Sequence, residues 1–235
     1  MIQNKDIQFI LTLASHEPLE IVEKCITSIK DHYTGSPVIT IADGEIAKEV
    51  VDFCRTNTYF FQSENLKMRQ RDLGAAWWER FFLMSRIFKT KWVVKIDADT
   101  LVHGKITHFP KAAMFGTLSQ QGQVNEHVIG GFQFILSDAI KLMLESGLCK
   151  CDELKKEKWM EGRVEKDYID RGELSTDHSL IYMLRKLRLT WASHNEICIT
   201  PFEFDLSKRQ NWMMATHKHT QGVKMILTAK RNVPS

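Results

Sequence analysis

The chain has 235 residues, of which 43% are hydrophobic and 26% charged, a composition typical of one ordinary folded domain. Its formal net charge of +3 is too small to indicate a nucleic-acid-binding protein. It contains no apolar run of about 18 residues, so the sequence predicts no membrane-spanning helix. No basic segment precedes the first apolar run, which favours a first strand over a signal peptide. We therefore expect a soluble cytoplasmic protein of microbial or viral origin.

The cysteines do not predict a disulfide framework or a zinc site. There are five of them at irregular spacing, which favours reduced thiols. Cys149 and Cys151 form a C-x-C pair, but no second pair of cysteine or histidine residues stands at the spacing of a zinc site.

The N-terminal part of the chain alternates between strand and helix patterns. Continuous apolar runs predict strands at residues 7–14, 38–42 and 59–61. Apolar residues at helical spacing predict helices between them, at 19–29 and 45–56. Such alternation is typical of a parallel sheet flanked by helices.

Polar residues follow the ends of these strands, where ligands of open α/β sheets bind. Thr12 and Ser15 follow the first strand, and Asp43 ends the second. Asp43 precedes a glycine, so a plain turn residue is the alternative.

The next helix pattern, residues 68–88, leads to the most informative strand end. Arg69 and Arg71 stand at its start and could neutralise phosphate, although exposed residues without a ligand are the alternative. The apolar run 92–96 predicts a strand that ends at Asp97-Ala98-Asp99. Two carboxylates at one strand end can bind Mg²⁺ or Mn²⁺, and these ions in turn bind the oxygens of a diphosphate.

Paired glycines mark a second candidate segment. After extended segments predicted at 106–110 and 112–118, Gly130 and Gly131 open a strand, and Ser137-Asp138 are expected to cap the following helix. Glycines allow the backbone to approach a ligand closely, and a β-bulge without a ligand is an equal alternative.

The C-terminal part contains a charged stretch and a clear helix. Trp159 and Tyr168 lie in the charged stretch, where they are candidates either for stacking on an acceptor sugar or for anchoring a loop. Trp212, further along, is another acceptor candidate. The helix at 180–187 begins near Ser175 or Thr176. Asp177 is then either a helix-start carboxylate stabilised by the helix dipole or a general base.

Four segments, taken in order, resemble GT-A-fold glycosyltransferases, the nucleotide-diphosphosugar transferase superfamily. They are most similar to β1,3-glycosyltransferase and fringe-like enzymes. The segments are WVVKIDADTLV at 92–102, GGFQFILSDAI at 130–140, STDHSLIYMLRKL at 175–187 and HTQGVK at 219–224. Thr176 departs from the pattern, because the family has a glutamate there.

The resemblance implies one α/β domain over residues 1–235, of GT-A (Rossmann-like) type, with a mostly parallel central sheet flanked by helices. The nucleotide-binding half would span about 1–100 and the acceptor-binding half about 101–235. The implied metal ligands for Mn²⁺ or Mg²⁺ are Asp97, Asp99 and His219, with His217 as the alternative to His219. The implied donor contacts are Thr12, Ala14, Ser15, Asp43, Arg69, Arg71, Asp97, Ala98, Asp99, Gly130, Gly131 and Lys224.

The implied reaction is transfer of a sugar from a nucleotide-diphosphosugar, with UDP expected first, to a glycan or glycoprotein acceptor. Asp177 would be the base of an inverting enzyme, and a retaining enzyme is the main alternative. A haloacid-dehalogenase-like phosphatase is a weaker alternative, because Leu101 stands where its D-x-D-x-T motif has threonine. A non-catalytic protein that binds sugar nucleotides is the other weaker alternative.

Overall fold

The computed structural model describes residues 2–13, 17–63, 74–119, 126–149, 176–199, 209–211 and 213–216. The strands are β1 (Ile7–Leu13), β2 (Val38–Asp43), β3 (Tyr59–Ser63), β4 (Trp92–Asp97), β5 (Leu101–Val102), β6 (Met114–Gly116), β7 (Leu118–Ser119), β8 (His127–Val128), β9 (Phe132–Leu136), β10 (Trp191–Ser193), β11 (Ile197–Cys198) and β12 (Ala215–Thr216). The α-helices are α1 (Leu19–His32), α2 (Lys48–Asn57), α3 (Gly74–Met84), α4 (Ser137–Glu145) and α5 (Thr176–Lys186).

A seven-stranded sheet in the order β10-β6-β9-β4-β1-β2-β3 forms the centre of the protein. Within it, β9 runs antiparallel to both of its neighbours, β4 and β6, and the other neighbouring strands pair in parallel. Helices cover both faces. The predicted α/β class with a mostly parallel, helix-flanked sheet is therefore confirmed.

The continuous apolar run of β1 arises because both faces of this strand are buried. Side chains alternate between the two faces of a strand. Phe9 and Leu11 accordingly join the core cluster that contains residues of α1 and α2. Ile10 joins the cluster that contains residues of α3, α4 and α5.

Several predicted elements differ from the structure in their boundaries. Residues 106–110 form no strand. Helix α2 begins at Lys48 with Ala47 as its N-cap, three positions later than predicted. Helix α4 begins at Ser137, and Leu136 is its N-cap. The Ser137 hydroxyl donates instead to the carbonyl of Thr90, which joins the start of α4 to the segment before β4.

A three-stranded sheet, in the order β11-β12-β5, lies beside the main one. Strand β12 runs antiparallel to β5, with Ala215 opposite Val102 and Thr216 opposite Leu101. A segment near the C-terminus is thus paired with the residues that follow β4. In the described parts of the chain, no helix has the length and apolar character needed to cross a membrane.

Candidate functional site

Three neighbouring strands end at the same edge of the sheet. Strand β1 pairs in parallel with β4, and Thr12 is the register partner of Asp97. On its other side, β1 pairs with β2, and Leu13 lies opposite Ala42, the residue before Asp43. The structure therefore brings the backbones of Thr12, Asp43 and Asp97 to one edge, as the strand order requires. The side chain of Asp43 lies outside the described residues.

The turn at Asp97-Ala98-Asp99 is bonded to the glycine pair. The backbone N–H of Asp97 donates to the Gly131 carbonyl at 3.0 Å, and the Thr100 hydroxyl donates to the same carbonyl at 3.0 Å. The Thr100 N–H donates back to the carbonyl of Asp97 at 3.1 Å. The D-x-D turn and the glycine pair, which the sequence suggested as two separate candidate segments, are thus joined through one carbonyl oxygen.

The glycines lie in a turn before β9 and are not its first residues. Gly131 has a φ of 113°, in the region that side chains other than glycine's rarely adopt. Glycine at this position allows the turn to close against the D-x-D turn.

The three residues of the D-x-D turn differ in exposure. Ala98 is 1% exposed and belongs to the core cluster beneath the turn. The side chain of Asp97 is 33% exposed, and Asp99 is half-buried. The small buried residue anchors the turn, while both flanking carboxylates keep access to solvent.

Lys95 pairs with the first aspartate of the D-x-D turn, a contact that was not predicted from the sequence. Its Nζ lies 2.6 Å from Oδ1 of Asp97, and its side chain is only 7% exposed. Residues two apart on a strand share a face, which brings the two side chains together. The available signal was a lysine inside an otherwise apolar strand, because lysine is almost never buried without a partner.

Cys25 of α1 lies directly beneath the turn. Its thiol is fully buried, and Sγ lies 3.6 Å from the carbonyl oxygen of Asp97. Burial raises the pKa of this thiol well above its usual value, and the charges of Asp99, Asp97 and Glu17 raise it further. Cys25 is therefore a neutral thiol at neutral pH, and Glu17 adds negative charge to this region.

The three-stranded sheet holds residues 213–216 close to this edge. The ring Nε2 of His103 and the Thr216 hydroxyl are hydrogen-bonded at 2.6 Å, and the His103 N–H donates to the Met214 carbonyl at 2.8 Å. Thr216 is paired with Leu101, two residues after Asp99. His217, which follows Thr216 directly, and His219 lie outside the described residues.

Helix α5 contains the expected base. Asp177 is its second residue, and the side chain of Asp177 is not among those described. Farther along the helix, Leu180, Ile181 and Leu184 are buried in the cluster that includes Trp77 and Trp78 of α3. The structure fixes the body of the helix and leaves the role of Asp177 as a prediction.

The other site predictions concern residues outside the described ranges. These are Ala14, Ser15, Arg69, Arg71, Trp159, Tyr168, Trp212 and Lys224.

A divalent cation fits the described residues in part. Asp97 and Asp99 supply the oxygen ligands that Mg²⁺ and Mn²⁺ prefer. Within the described ranges, no group of three His, Cys, Asp or Glu side chains forms a metal-binding cluster. The remaining ligands would come from water, from a bound diphosphate or from elsewhere in the chain, as the predicted histidine would.

Comparison with known proteins gives a match in structure and none in sequence. No protein-family model matches the chain, and no curated protein matches it. The galactosyltransferase LgtC, solved in complex with donor and acceptor sugar analogues, superimposes on it with a TM-score of 0.50 at 11% sequence identity. The superposition covers 97% of this chain and 96% of LgtC. The fold is GT-A.

At this identity the likeness concerns the fold alone. It does not support the phosphatase alternative. The closer resemblance to β1,3-glycosyltransferases and fringe-like enzymes stays a prediction.

Proposed function

We propose that this protein is a glycosyltransferase that uses Mn²⁺ or Mg²⁺ and a nucleotide-diphosphosugar, with a UDP-sugar as the first donor to test. The acceptor would be a hydroxyl of a glycan or glycoprotein. One observation carries the proposal: a D-x-D turn at the carboxyl end of β4, bonded to Gly131, in a protein of GT-A fold.

The donor would lie across the ends of β2, β1 and β4. Asp43 and the backbone from Thr12 through Ala14 to Ser15 would contact the base and ribose, while Gly130 and Gly131 would line the sugar. Arg69, Arg71 and Lys224 are the cations proposed to contact the diphosphate, since preorganised positive charge stabilises a leaving group that gains negative charge.

The divalent cation would be held by Asp99, with Asp97 beside it and His219 as the further ligand; His217 is the alternative to His219. When bound, it would neutralise the charge that grows on the leaving diphosphate. The pairing of β12 with β5 supports a C-terminal ligand, because Thr216 lies opposite Leu101 and His217 is the next residue in the chain.

Asp177 is proposed as the base that removes the proton of the acceptor hydroxyl. An inverting displacement needs the base on the face of the sugar opposite the leaving group, and α5 is a different element from the D-x-D turn. Trp159, Tyr168 and Trp212 are proposed to contact the acceptor. The retaining alternative makes the opposite prediction for the anomeric configuration of the product, which NMR of the product measures.

The proposal is tested by a thermal-shift screen of nucleotide-sugars, each with and without Mn²⁺, followed by transfer assays. UDP-galactose belongs in the screen because the structural neighbour is a galactosyltransferase. A donor at 100 times its Kd should stabilise the protein by about 2.7 kcal/mol, which raises the Tm by roughly 5–10 °C. EDTA should abolish both the shift and transfer, and Mn²⁺ should restore them. Full transfer in excess chelator would contradict the metal role.

The base is tested separately with Asp177→Asn, which keeps the shape of the side chain and removes its basicity. We expect unchanged donor binding and a loss of transfer of roughly 10²–10⁴-fold, the usual contribution of a general base. Normal turnover by this variant would leave Asp177 as a helix-start residue only.

A further inference from the structure

A cleft of about 490 Å³ lies at the amino-terminal edge of the central sheet. Its wall is formed by the segments that lead into β4, β6 and β10 and by the end of β9, where Leu136 pairs with Trp92. Two backbone hydrogen bonds join these segments. The Ala113 N–H donates to the Thr190 carbonyl at 2.9 Å, and the Leu136 N–H donates to the Ala113 carbonyl at 2.8 Å. The cleft is therefore formed by backbone that the sheet holds in place.

The cleft is separate from the candidate donor site. Strand β4 runs from Trp92 at the cleft to Asp97 at the opposite edge of the sheet. Its six residues span about 17 Å at the usual rise of a strand. A small ligand in the cleft therefore does not contact the D-x-D turn.

The charged residues of the cleft all carry the same sign. Its lining contains Lys91, Lys111 and Arg188, and no aspartate or glutamate among the described residues. All three are exposed, and none forms a salt bridge within the described parts of the chain. A neighbouring pocket, lined by residues from 85–90 and 137–145, contains carboxylates as well as cations. The cleft alone therefore combines a cavity with positive charge of one sign, which attracts an anion.

Arg188 has an unusual backbone conformation. Among the described residues other than glycine, it alone has a positive φ, of 54°. It follows α5, where the Arg188 N–H donates to the Arg185 carbonyl at 3.0 Å and the Leu189 N–H donates to the Leu184 carbonyl at 2.8 Å. Glycine is the usual residue at the left-handed position of this helix-ending pattern, because a side chain there is strained. Strain of this kind is typical of residues that serve a ligand, and the Arg188 side chain lines the cleft.

The rest of the cleft wall is mostly apolar. The lining residues include Phe109, Leu136 and Leu189. Trp92, which also lines the cleft, is only 2% exposed, and its buried indole N–H has no hydrogen-bond partner among the described residues. An inorganic ion would leave this apolar area uncovered, so a ligand that fits the cleft carries an apolar group beside its charge.

We infer that this cleft is a second ligand site, which binds a phosphate monoester that carries an apolar group. Three cations without a carboxylate favour a dianion, and a phosphate monoester carries about two negative charges at neutral pH. The planar guanidinium of Arg188 presents paired N–H donors that match phosphate oxygens. The site does not depend on the proposed function, since it shares no residue with the donor site.

The first test is calorimetric titration with phenyl phosphate in excess EDTA, which removes the metal that the proposed donor site needs. We expect a Kd below about 1 mM, which rises with salt concentration because exposed charges are screened. Inorganic phosphate, which lacks the apolar ring, should bind at least about tenfold more weakly. Absence of phenyl phosphate binding would overturn the inference and leave the proposed function standing.

Arg188→Gly removes the charge and places the usual residue at the left-handed position. It should bind phenyl phosphate about tenfold or more weakly, the usual effect of losing a charge-assisted hydrogen bond. Its Tm should equal or exceed that of wild type, because the backbone strain is relieved. Loss of binding without loss of stability separates a ligand contact from a structural role, and wild-type affinity would overturn the inference.

Two further variants complete this comparison. Lys111→Gln should weaken phenyl phosphate binding by about threefold or more, and it decides the test if Arg188→Gly proves less stable than wild type. Lys89→Gln is the matched control, because Lys89 is an exposed lysine that lines the neighbouring pocket. It should leave the affinity unchanged. Equal losses in Lys111→Gln and Lys89→Gln would show non-specific attraction and overturn the site.

A sedimentation experiment identifies the source of the phosphate, which is either a free ester or a lipid headgroup. The protein is mixed with phosphatidylcholine vesicles, with and without phosphatidic acid. Sedimentation of wild type, but not of Arg188→Gly, with phosphatidic acid would assign the cleft to a lipid headgroup. Binding of phenyl phosphate without sedimentation would assign it to a free ester. Equal sedimentation of both proteins would overturn the cleft as a lipid site.

Discussion

The two ends of strand β4 have different surroundings, although they are separated by only a few residues. At the amino end, Trp92 is 2% exposed and packs among aromatic rings, with ring centres 5.1 Å from Phe115 and 5.6 Å from Phe109. At the carboxyl end, Lys95 and Asp97 form an ion pair and the chain turns at Asp99. One strand thus joins an apolar anchor to a charged edge.

The difference follows from the topology of the sheet. Loops that follow neighbouring parallel strands converge at the carboxyl edge, so polar groups from distant parts of the chain meet there. The amino end of β4 is covered by packing, and its residues contribute to stability. We therefore expect substitutions at the two ends to separate stability from activity.

The largest effect is expected from a substitution at the amino end of β4, and it is an effect on stability. Trp92→Ala removes a large buried side chain from the aromatic cluster and should lower the free energy of unfolding by about 3–5 kcal/mol. Urea unfolding measures this. Transfer activity per folded molecule should be nearly unchanged, and a specific loss of activity in the folded fraction would break the separation between the two ends.

The next effect belongs to the carboxyl end and is on activity. Asp99→Asn removes the charge proposed to bind the metal and should lower transfer by roughly 10²–10³-fold, since one preorganised electrostatic contact is worth about that much. Because Asp99 is half-buried and lies in a turn, the free energy of unfolding should change by less than about 1 kcal/mol.

A matched control for this variant is Asp138→Asn. Asp138 is an exposed carboxylate in the first turn of α4, which follows Leu136, the residue paired with Trp92. It carries the same charge at the amino end of β4, and transfer should be unaffected. Equal losses of transfer activity in Asp99→Asn and Asp138→Asn would show that removing any negative charge near β4 lowers transfer.

A smaller effect concerns the two histidines after β12. His219→Ala should weaken Mn²⁺-dependent donor binding by roughly 10–100-fold, and His217→Ala should weaken it less. Calorimetric titration of donor with Mn²⁺ present measures both. The reverse order would exchange their roles, and no effect from either would remove the C-terminal segment from the metal site.

The smallest effect compares two glycines with positive φ. Gly131→Ala places a side chain at a φ of 113°, and Gly147→Ala places one at 71°, beyond the C-terminal end of α4. Each change should cost about 1–2 kcal/mol of stability from backbone strain. Only Gly131→Ala should also weaken donor binding, because the Gly131 carbonyl accepts hydrogen bonds from Asp97 and Thr100. Equal donor binding in both variants would leave the glycine turn with a structural role alone.

Much of the fold follows from local patterns in the sequence. The apolar runs of β1, β2 and β4 and the helical spacing of α1 and α5 are properties of short segments, because burial on two faces or on one stripe selects those residues locally. The D-x-D motif and the glycine pair could also be recognised in the sequence, because each is a pattern of two or three neighbouring residues. The alternation of elements then predicts a sheet with its ligand edge at the strand ends.

Tertiary structure decided the contacts that join these segments. The insertion of antiparallel β9 between β4 and β6, the two hydrogen bonds to the Gly131 carbonyl and the pairing of β12 with β5 all connect residues far apart in sequence. Lys95 shows the boundary between the two levels. Its two-residue spacing from Asp97 is local, but its contact with Trp77 of α3 is not, because the placement of a helix against a sheet is set by packing across the whole core.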